Sequence, residues 1–354
     1  MTQTAAPAPT PAHGAAVADR RRGPGRRRVG ILLGLVVAVA VTAAASVAFG
    51  SNHVQFLRVF EALLHPGDDE ATTIVQGVRI PRTILGIVVG ACLGVAGAVM
   101  QGQTRNPLAD PGLFGVSAGA GLAVVIGVFV FGVADTGLDV WLALAGALVA
   151  SVAVFSITAA GSGTASPVPL ALAGAAVSAL LDAFTSFIVL ADKDALNAYR
   201  LWVVGSLSGR DAGVISSVVP FALAGLVLAF LNSRALDNLG LGSDMARSLG
   251  QNVLVARITG LASITLLTAA ATAAAGPVGF VGLVVPHLAR AIVGGSHRYL
   301  IPASMLIGIA LVLGADVVGR LIGGSGEVQV GIVLAVLGGP FFVAVARRRS
   351  LVAL

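Results

Sequence analysis

VRIPRTILGIVVGACLGVAGAVMQGQTRNPLADPGLFGVSAGA, residues 78–120, opens with two arginines, runs uncharged through residues 83–100 and closes on a polar, proline-broken turn. A helix needs about 20 apolar residues to cross a bilayer, and this run meets that length. Gly86, Gly90, Gly94, Ala98 and Gly102 recur at four-residue spacing within it. That period lines the small residues up on one stripe, where a neighbouring helix backbone can approach closely. Glycine is common in membrane helices generally, so a helix merely rich in glycine is the other reading of the same stripe.

The rest of the chain agrees with a membrane protein. Of 354 residues 56% are hydrophobic and 11% charged, and the mean hydropathy is +0.95. Such a chain has too little polar surface to cover a soluble globule of its length. Its net charge of +6 does not point to nucleic acid, because the arginines cluster at chain ends and in short loops with almost no aromatic interleaving. They read as topology signals. The single cysteine, Cys92, lies inside an apolar run, so it makes no intrachain disulfide and no cysteine-cluster metal site, and is read as packing.

Residues 1–28 are rich in Ala, Pro and Arg without periodicity and are expected to be a disordered basic cytoplasmic tail. The apolar run that follows exceeds a signal-peptide core of 7–15 residues and is taken as a first span. Apolar runs between polar breaks predict ten membrane helices near 29–49, 82–101, 112–133, 138–159, 167–191, 212–231, 253–275, 279–293, 299–321 and 329–346. Residues 29–347 form the expected membrane domain and residues 348–354 a short tail. Arginine clusters at both chain ends predict that both termini are cytoplasmic. Threading on that basis leaves Arg79, Arg82, Arg200, Arg210 and Arg320 outside, against the positive-inside pattern.

The longest hydrophilic break, residues 232–252, is then cytoplasmic. Ser243 suits an N-cap, Met245, Ala246 and Leu249 share a face, and Gly250 suits a left-handed C-terminal position. A short amphipathic helix there is a candidate docking element for a soluble partner, or an ordinary interfacial connector. The chain has no G-x-x-x-x-G-K-[ST] loop, and its only lysine is Lys193. Any ATP hydrolysis therefore belongs to another chain.

Few intramembrane residues are polar. Asp316 and Arg320 lie four apart on the ninth run and can pair. Gly174, Ser178, Asp182 and Ser186 make a small, polar stripe on the fifth run that either lines a passage or acts as packing glue. Arg79, Arg82 and Arg320 are expected to form an outward-facing cationic patch able to receive carboxylates of a partner, or to be interfacial anchors. His287 and His297 have no second ligand at metal spacing and are read as structural. No nucleophile, base and oxyanion arrangement is found, so no catalysis is assigned.

VRIPRT at 78–83, GxxxQGxTRNPLADPGLFGVSAGA at 97–120, LGxxxAxxLG at 241–250, GPVGFVGLVVPHLARxxxGxxHR at 276–298, ADVVGR at 315–320 and EVQVGIVLAVLGGPFF at 327–342 together resemble the FecCD family. These are permease subunits of binding-protein-dependent ABC importers for iron-siderophores, haem and vitamin B12. Gln329 departs from the family pattern, which often carries proline there.

The resemblance implies an all-α, ten-span fold like that of the vitamin B12 importer permease, in the bacterial cytoplasmic membrane. It implies a pair of permeases, the second a copy or a paralogue, two ATPase subunits below and an extracytoplasmic binding protein above. ATP and Mg would sit on the ATPase, with no cofactor or metal on this chain. Arg79, Arg82 and Arg320 stand at the family's binding-protein contacts. Gly242, Ala246, Leu249 and Gly250 match its coupling helix and are expected to seat in the ATPase cleft. Ser178, Asp182 and Ser186 are the pathway candidates. An iron-siderophore is the expected substrate class, with haem and vitamin B12 as alternatives, carried by ATP-driven alternating access. An ion-coupled transporter would place several ionisable groups at the membrane midplane, where here only Asp182 and Asp316 qualify. A non-transporting scaffold would have no use for the cytoplasmic helix.

Overall fold

The computed structural model describes residues 24–347 except 52–53, 65–66, 68, 133–135, 163–166 and 324–325. Fifteen α-helices and no strand occur among the described residues. In chain order they are α1 (Pro24–Ala48), α2 (Phe56–Leu64), α3 (Glu70–Thr72), α4 (Ile80–Thr104), α5 (Val116–Phe131), α6 (Thr136–Ser162), α7 (Pro167–Ala191) and α8 (Lys193–Trp202), followed by α9 (Ala212–Leu231), α10 (Ser233–Gly240), α11 (Ser243–Ser248), α12 (Val253–Ala275), α13 (Val281–Val293), α14 (His297–Ile322) and α15 (Val330–Arg347).

Seven of these helices are long and apolar enough to cross a membrane, and three shorter apolar ones, within α5, α13 and α15, complete the set. Each corresponds to one of the ten runs expected from sequence. Three boundaries differ for physical reasons. The expected tail ends earlier, because residues 24–28 already belong to α1; residues 1–23 and 348–354 lie outside the described residues. The second span begins well before its apolar run. There α3, a π-helical stretch Thr73–Arg79 and α4 join into a single rod of 35 residues. In contrast, α13 has 13 residues, about 20 Å of helix against about 30 Å of hydrocarbon. Its start is delayed by Gly276 at φ +73° and Phe280 at φ +67°.

Residues 192–211, expected as a loop, contain α8. Asp192 caps it by accepting from the Ala195 N–H at 2.7 Å, and Trp202 buries its far end. The amphipathic α2 was likewise unexpected. Its FLRVFEALL sequence buries Val59 and Ala62 against Val75 of the π-helical stretch.

The glycine stripe of α4 explains the centre of the fold, because it lies against α14. A Cβ on Gly86 would press on Leu313, one on Gly90 would meet the Gly308 carbonyl, one on Gly94 the Ser304 carbonyl and one on Gly102 the His297 ring. Ala98, the fifth member, is buried with Leu300 and Ala303 of the same helix. Close backbone approach replaces side-chain interdigitation here, the packing available where lipid tails compete equally for apolar groups. On a different face Gly97 touches the Gly282 carbonyl of α13. Surrounded in this way, α4 is the buried axis of the molecule, and its ends hold the two polar clusters that follow.

Candidate functional site

At the end of α4 that carries VRIPRT, three arginines converge. Arg82 donates from Nε and Nη2 to the Asp316 carboxylate, with its closest contact at 2.7 Å, and from Nη1 to Glu327 at 2.7 Å. Arg320, one turn beyond Asp316 on α14, pairs with its other oxygen at 2.8 Å. Arg320 also donates to the carbonyls of Ser46 and Phe49, both at 2.9 Å. Arg79 donates to the Val47 and Ala48 carbonyls at 2.9 and 2.7 Å. Two guanidinium groups thus satisfy the orphan carbonyls at the C-terminus of α1, where the helix dipole favours a cation.

The expected outward-facing cationic patch is instead a buried cluster. Arg79, Arg82 and Arg320 are only 3%, 5% and 3% exposed. Arg79 and Arg82 also turn to different helices instead of projecting together. The expected Asp316–Arg320 pair is present. Sequence reasoning did not anticipate Glu327, which sits between Arg82, Ser51 and Ser208, accepting from them at 2.7, 2.9 and 3.2 Å. Burial alone would raise the Glu327 pKa, but these donors and the Arg82 charge hold it below the usual carboxylate range. What opens onto the arginines is a crevice of about 70 Å³ beside Gly50 and Ser51, room for about two waters or one carboxylate tip.

The opposite end of α4, some 37 Å away by helix rise, meets the connector α10–α11. Asp237 of α10 accepts from the backbone N–H of His297 at 2.7 Å and from Ser296 Oγ at 2.9 Å, and contacts His297 Nδ1 at 2.7 Å. Burial would raise the Asp237 pKa; the donors from His297 and Ser296 outweigh it and hold the carboxylate low. His297, expected in a loop, is therefore the buried first residue of α14 and is latched to the connector. Gln103 donates to the Ala256 and Arg257 carbonyls at 3.0 and 3.2 Å, and Asn232 to Ala256 at 2.9 Å. These bonds fasten the first turn of α12 to α4 and α9.

In α11 the expected features separate. Gly250 has φ +79° as anticipated, but the N-cap is Gly242 at φ +107°, with Ser243 already inside the helix. Ala246 is fully buried among Ala235, Leu239, Val253 and Ala256, so it does not present itself to a partner. The outward surface is Leu241, Met245 and Leu249, at 65%, 54% and 58% exposure. Gly242 is half-buried and Gly250 exposed.

Between the two ends lies a cavity of about 240 Å³ lined by Ser178, Asp182 and Thr185 of α7, Tyr199 and Trp202 of α8 and Ser117 of α5. Two of the three pathway candidates meet there. Ser186 does not line it; its hydroxyl donates back to the Asp182 carbonyl at 2.8 Å. Tyr199 and Trp202 were missed because α8 was read as a loop. Their i, i+4, i+7 spacing, Ala195, Tyr199 and Trp202 behind a capping Asp192, was the available signal. His287 stacks edge-on against Phe341 at 6.0 Å, and among the described residues no group of three or more His, Cys, Asp or Glu is arranged to hold a metal.

Comparison with known proteins places these features in a family. Residues 36–348 match the FecCD transport family. The chain is 43% identical over 322 residues to the ferric enterobactin transport system permease protein FepD of Escherichia coli (strain K12), covering 91% of this chain and 95% of the relative. It is 36% identical to the hemin transport system permease protein HmuU of Yersinia pestis, covering 90% and 96%, and 38% identical to the cobalamin import system permease protein BtuC of Halobacterium salinarum, covering 81% and 76%. Among solved structures, an inward-facing metal-chelate type ABC transporter aligns with TM-score 0.78 at 26% identity over 89% of this chain and 98% of that one.

Proposed function

The chain belongs to the FecCD transport family as an integral membrane permease subunit, and on that premise we propose that it forms the pathway for an iron-siderophore complex in an importer driven by ATP on separate subunits. The single observation that carries the substrate class is the 43% identity to a ferric enterobactin permease across 91% of the chain. Haem and vitamin B12 are the alternatives, favoured by the hemin and cobalamin relatives.

The geometry supports a division of labour along α4. At the connector end, Leu241, Met245 and Leu249 are the apolar surface for an ATPase cleft, with Gly242 and Gly250 shaping the turn on either side. Movement of that segment is passed to α14 through the Asp237–His297 latch and to α12 through Ala246 and Asn232. Packed interfaces with two arrangements are what convert such a push into alternating access. At the far end the binding protein docks, and one of its carboxylates enters the crevice and competes with Glu327 for Arg82. Cargo passes between two permease copies, with Ser178 and Asp182 offering a few weak polar contacts. With both termini cytoplasmic, the connector faces the ATPase.

Purification of the complex from its native membrane, with identification of every copurifying chain, tests this reading. An ATPase and an extracytoplasmic siderophore-binding protein are expected. A haem- or cobalamin-binding protein would replace the substrate, and absence of any ATPase would remove the mechanism.

A further inference from the structure

A groove of about 880 Å³ lies between α6 and α12 and shares no lining residue with the α7–α8 cavity or the arginine crevice. Its walls are apolar, with Val152 and Phe155 on one side and Leu254 and Ile258 on the other, whereas one end holds Arg247 and Arg257 and, among the described residues, no carboxylate lines it. Arg105 adds a third positive charge near that end, its Nη1 lying 3.9 Å from where a Cβ on Gly242 would stand at the start of α11. Asp244, which bonds Arg247 at 3.0 Å, is 95% exposed and screens it only weakly.

The groove's length identifies the kind of occupant. It follows α12 from the N-cap Asn252 to Leu266, about 14 residues and so about 20 Å of helix rise. One leaflet of hydrocarbon is about 15 Å thick. The cationic end coincides with the start of the membrane span, and the deeper lining is apolar except for Thr265. We propose that this groove binds an anionic phospholipid of the adjoining leaflet, its phosphate between Arg247 and Arg257 and an acyl chain laid along α12. Arginines beside apolar helices at a membrane surface are the established chemistry for such headgroups.

A second copy of this chain fits the groove poorly. Two copies related by an axis along the membrane normal present the same patch at the same depth. Arg105, Arg247 and Arg257 would then face their own counterparts, a like-charge contact that disfavours association.

The test measures thermal stability of the full-length permease in neutral detergent against increasing phosphatidylglycerol, phosphatidylcholine of identical acyl chains, or inorganic phosphate. Phosphatidylglycerol alone should raise the midpoint saturably. Arg247→Gln with Arg257→Gln should raise the half-saturating concentration roughly 20-fold or more, at about fivefold for each arginine near an anionic lipid. Ala262→Phe, which fills the groove without touching charge, should abolish the effect while leaving the midpoint in phosphatidylcholine unchanged. Equal stabilisation by both lipids, or an unaltered phosphatidylglycerol response in the Ala262→Phe protein, would overturn the proposal. So would efficient disulfide dimers of a Val152→Cys protein in the membrane, which would assign the groove to a second copy.

Discussion

Replacing Asp316 by Asn removes one charge from the centre of the arginine cluster while preserving the side chain's size. Asp316 is 1% exposed and its two oxygens hold Arg82 at 2.7 Å and Arg320 at 2.8 Å. Two unit charges at that separation attract by about 6 kcal/mol at an effective dielectric of 20, and desolvation of both partners opposes this. What remains after substitution is decisive. Arg320 keeps the α1 carbonyls, Arg82 keeps only Glu327 and a weak contact to Ser208, and two buried cations lose their shared counter-charge. Breaking a buried pair in this way costs about 3–5 kcal/mol. Reversible unfolding in mixed detergent micelles reads the loss, and a double-mutant cycle with Arg82→Gln should return a coupling of about 1–3 kcal/mol. A loss below about 1 kcal/mol with additive single substitutions would show that the cluster does not fasten α4 to α14.

The small-residue axis predicts that Gly90→Ala, whose new Cβ would stand 2.5 Å from the Gly308 carbonyl, destabilises by about 1–3 kcal/mol; an unchanged unfolding midpoint would refute the close helix approach. Glu327 is held below its ordinary 4.5, so its carboxylate favours the folded state above that pH, and the contribution disappears as pH falls through the lowered value. Unfolding measured from pH 7 down to pH 3 should therefore show an acid-labile component that Glu327→Gln flattens. Met245→Glu with Leu249→Glu should leave the permease folded yet abolish copurification of the ATPase. Ala246→Asp, buried among four apolar neighbours, should instead lower the yield of folded protein, because an unpaired buried charge costs several kcal/mol. Charge reversal of Arg79 and Arg82 is expected to prevent folding for the same reason, so Glu327→Gln is the better probe of docking: it should tighten binding-protein affinity by freeing Arg82.

Much of the fold was legible because it depends on local periodicity. Four-residue spacing in α4 marked the face that meets α14, and each apolar run became one apolar helix. The i,i+4 spacing of Asp316 and Arg320 likewise announced their pair. What the sequence concealed depends on long-range contact. Arg82 and Glu327 are 245 positions apart, and Asp237 and His297 are 60 apart, so no local pattern reveals that a buried arginine is already occupied or that a lone histidine anchors a connector. Ala246 shows the same limit. Its helix period was readable, but which side of a six-residue helix faces the protein was not. The helix α8 was hidden by composition, since its charged and amide residues read as a loop until Asp192 is recognised as its cap.

In the proposed function this chain moves an iron-siderophore by coupling to a separate ATPase. That coupling is tested most directly by uptake of radiolabelled ferric siderophore into proteoliposomes holding the permease, its ATPase and its binding protein. Accumulation should require ATP and the binding protein, fall to background with Met245→Glu and Leu249→Glu, and be indifferent to an imposed proton or sodium gradient. Uptake that persists without the ATPase and follows an ion gradient would contradict the account.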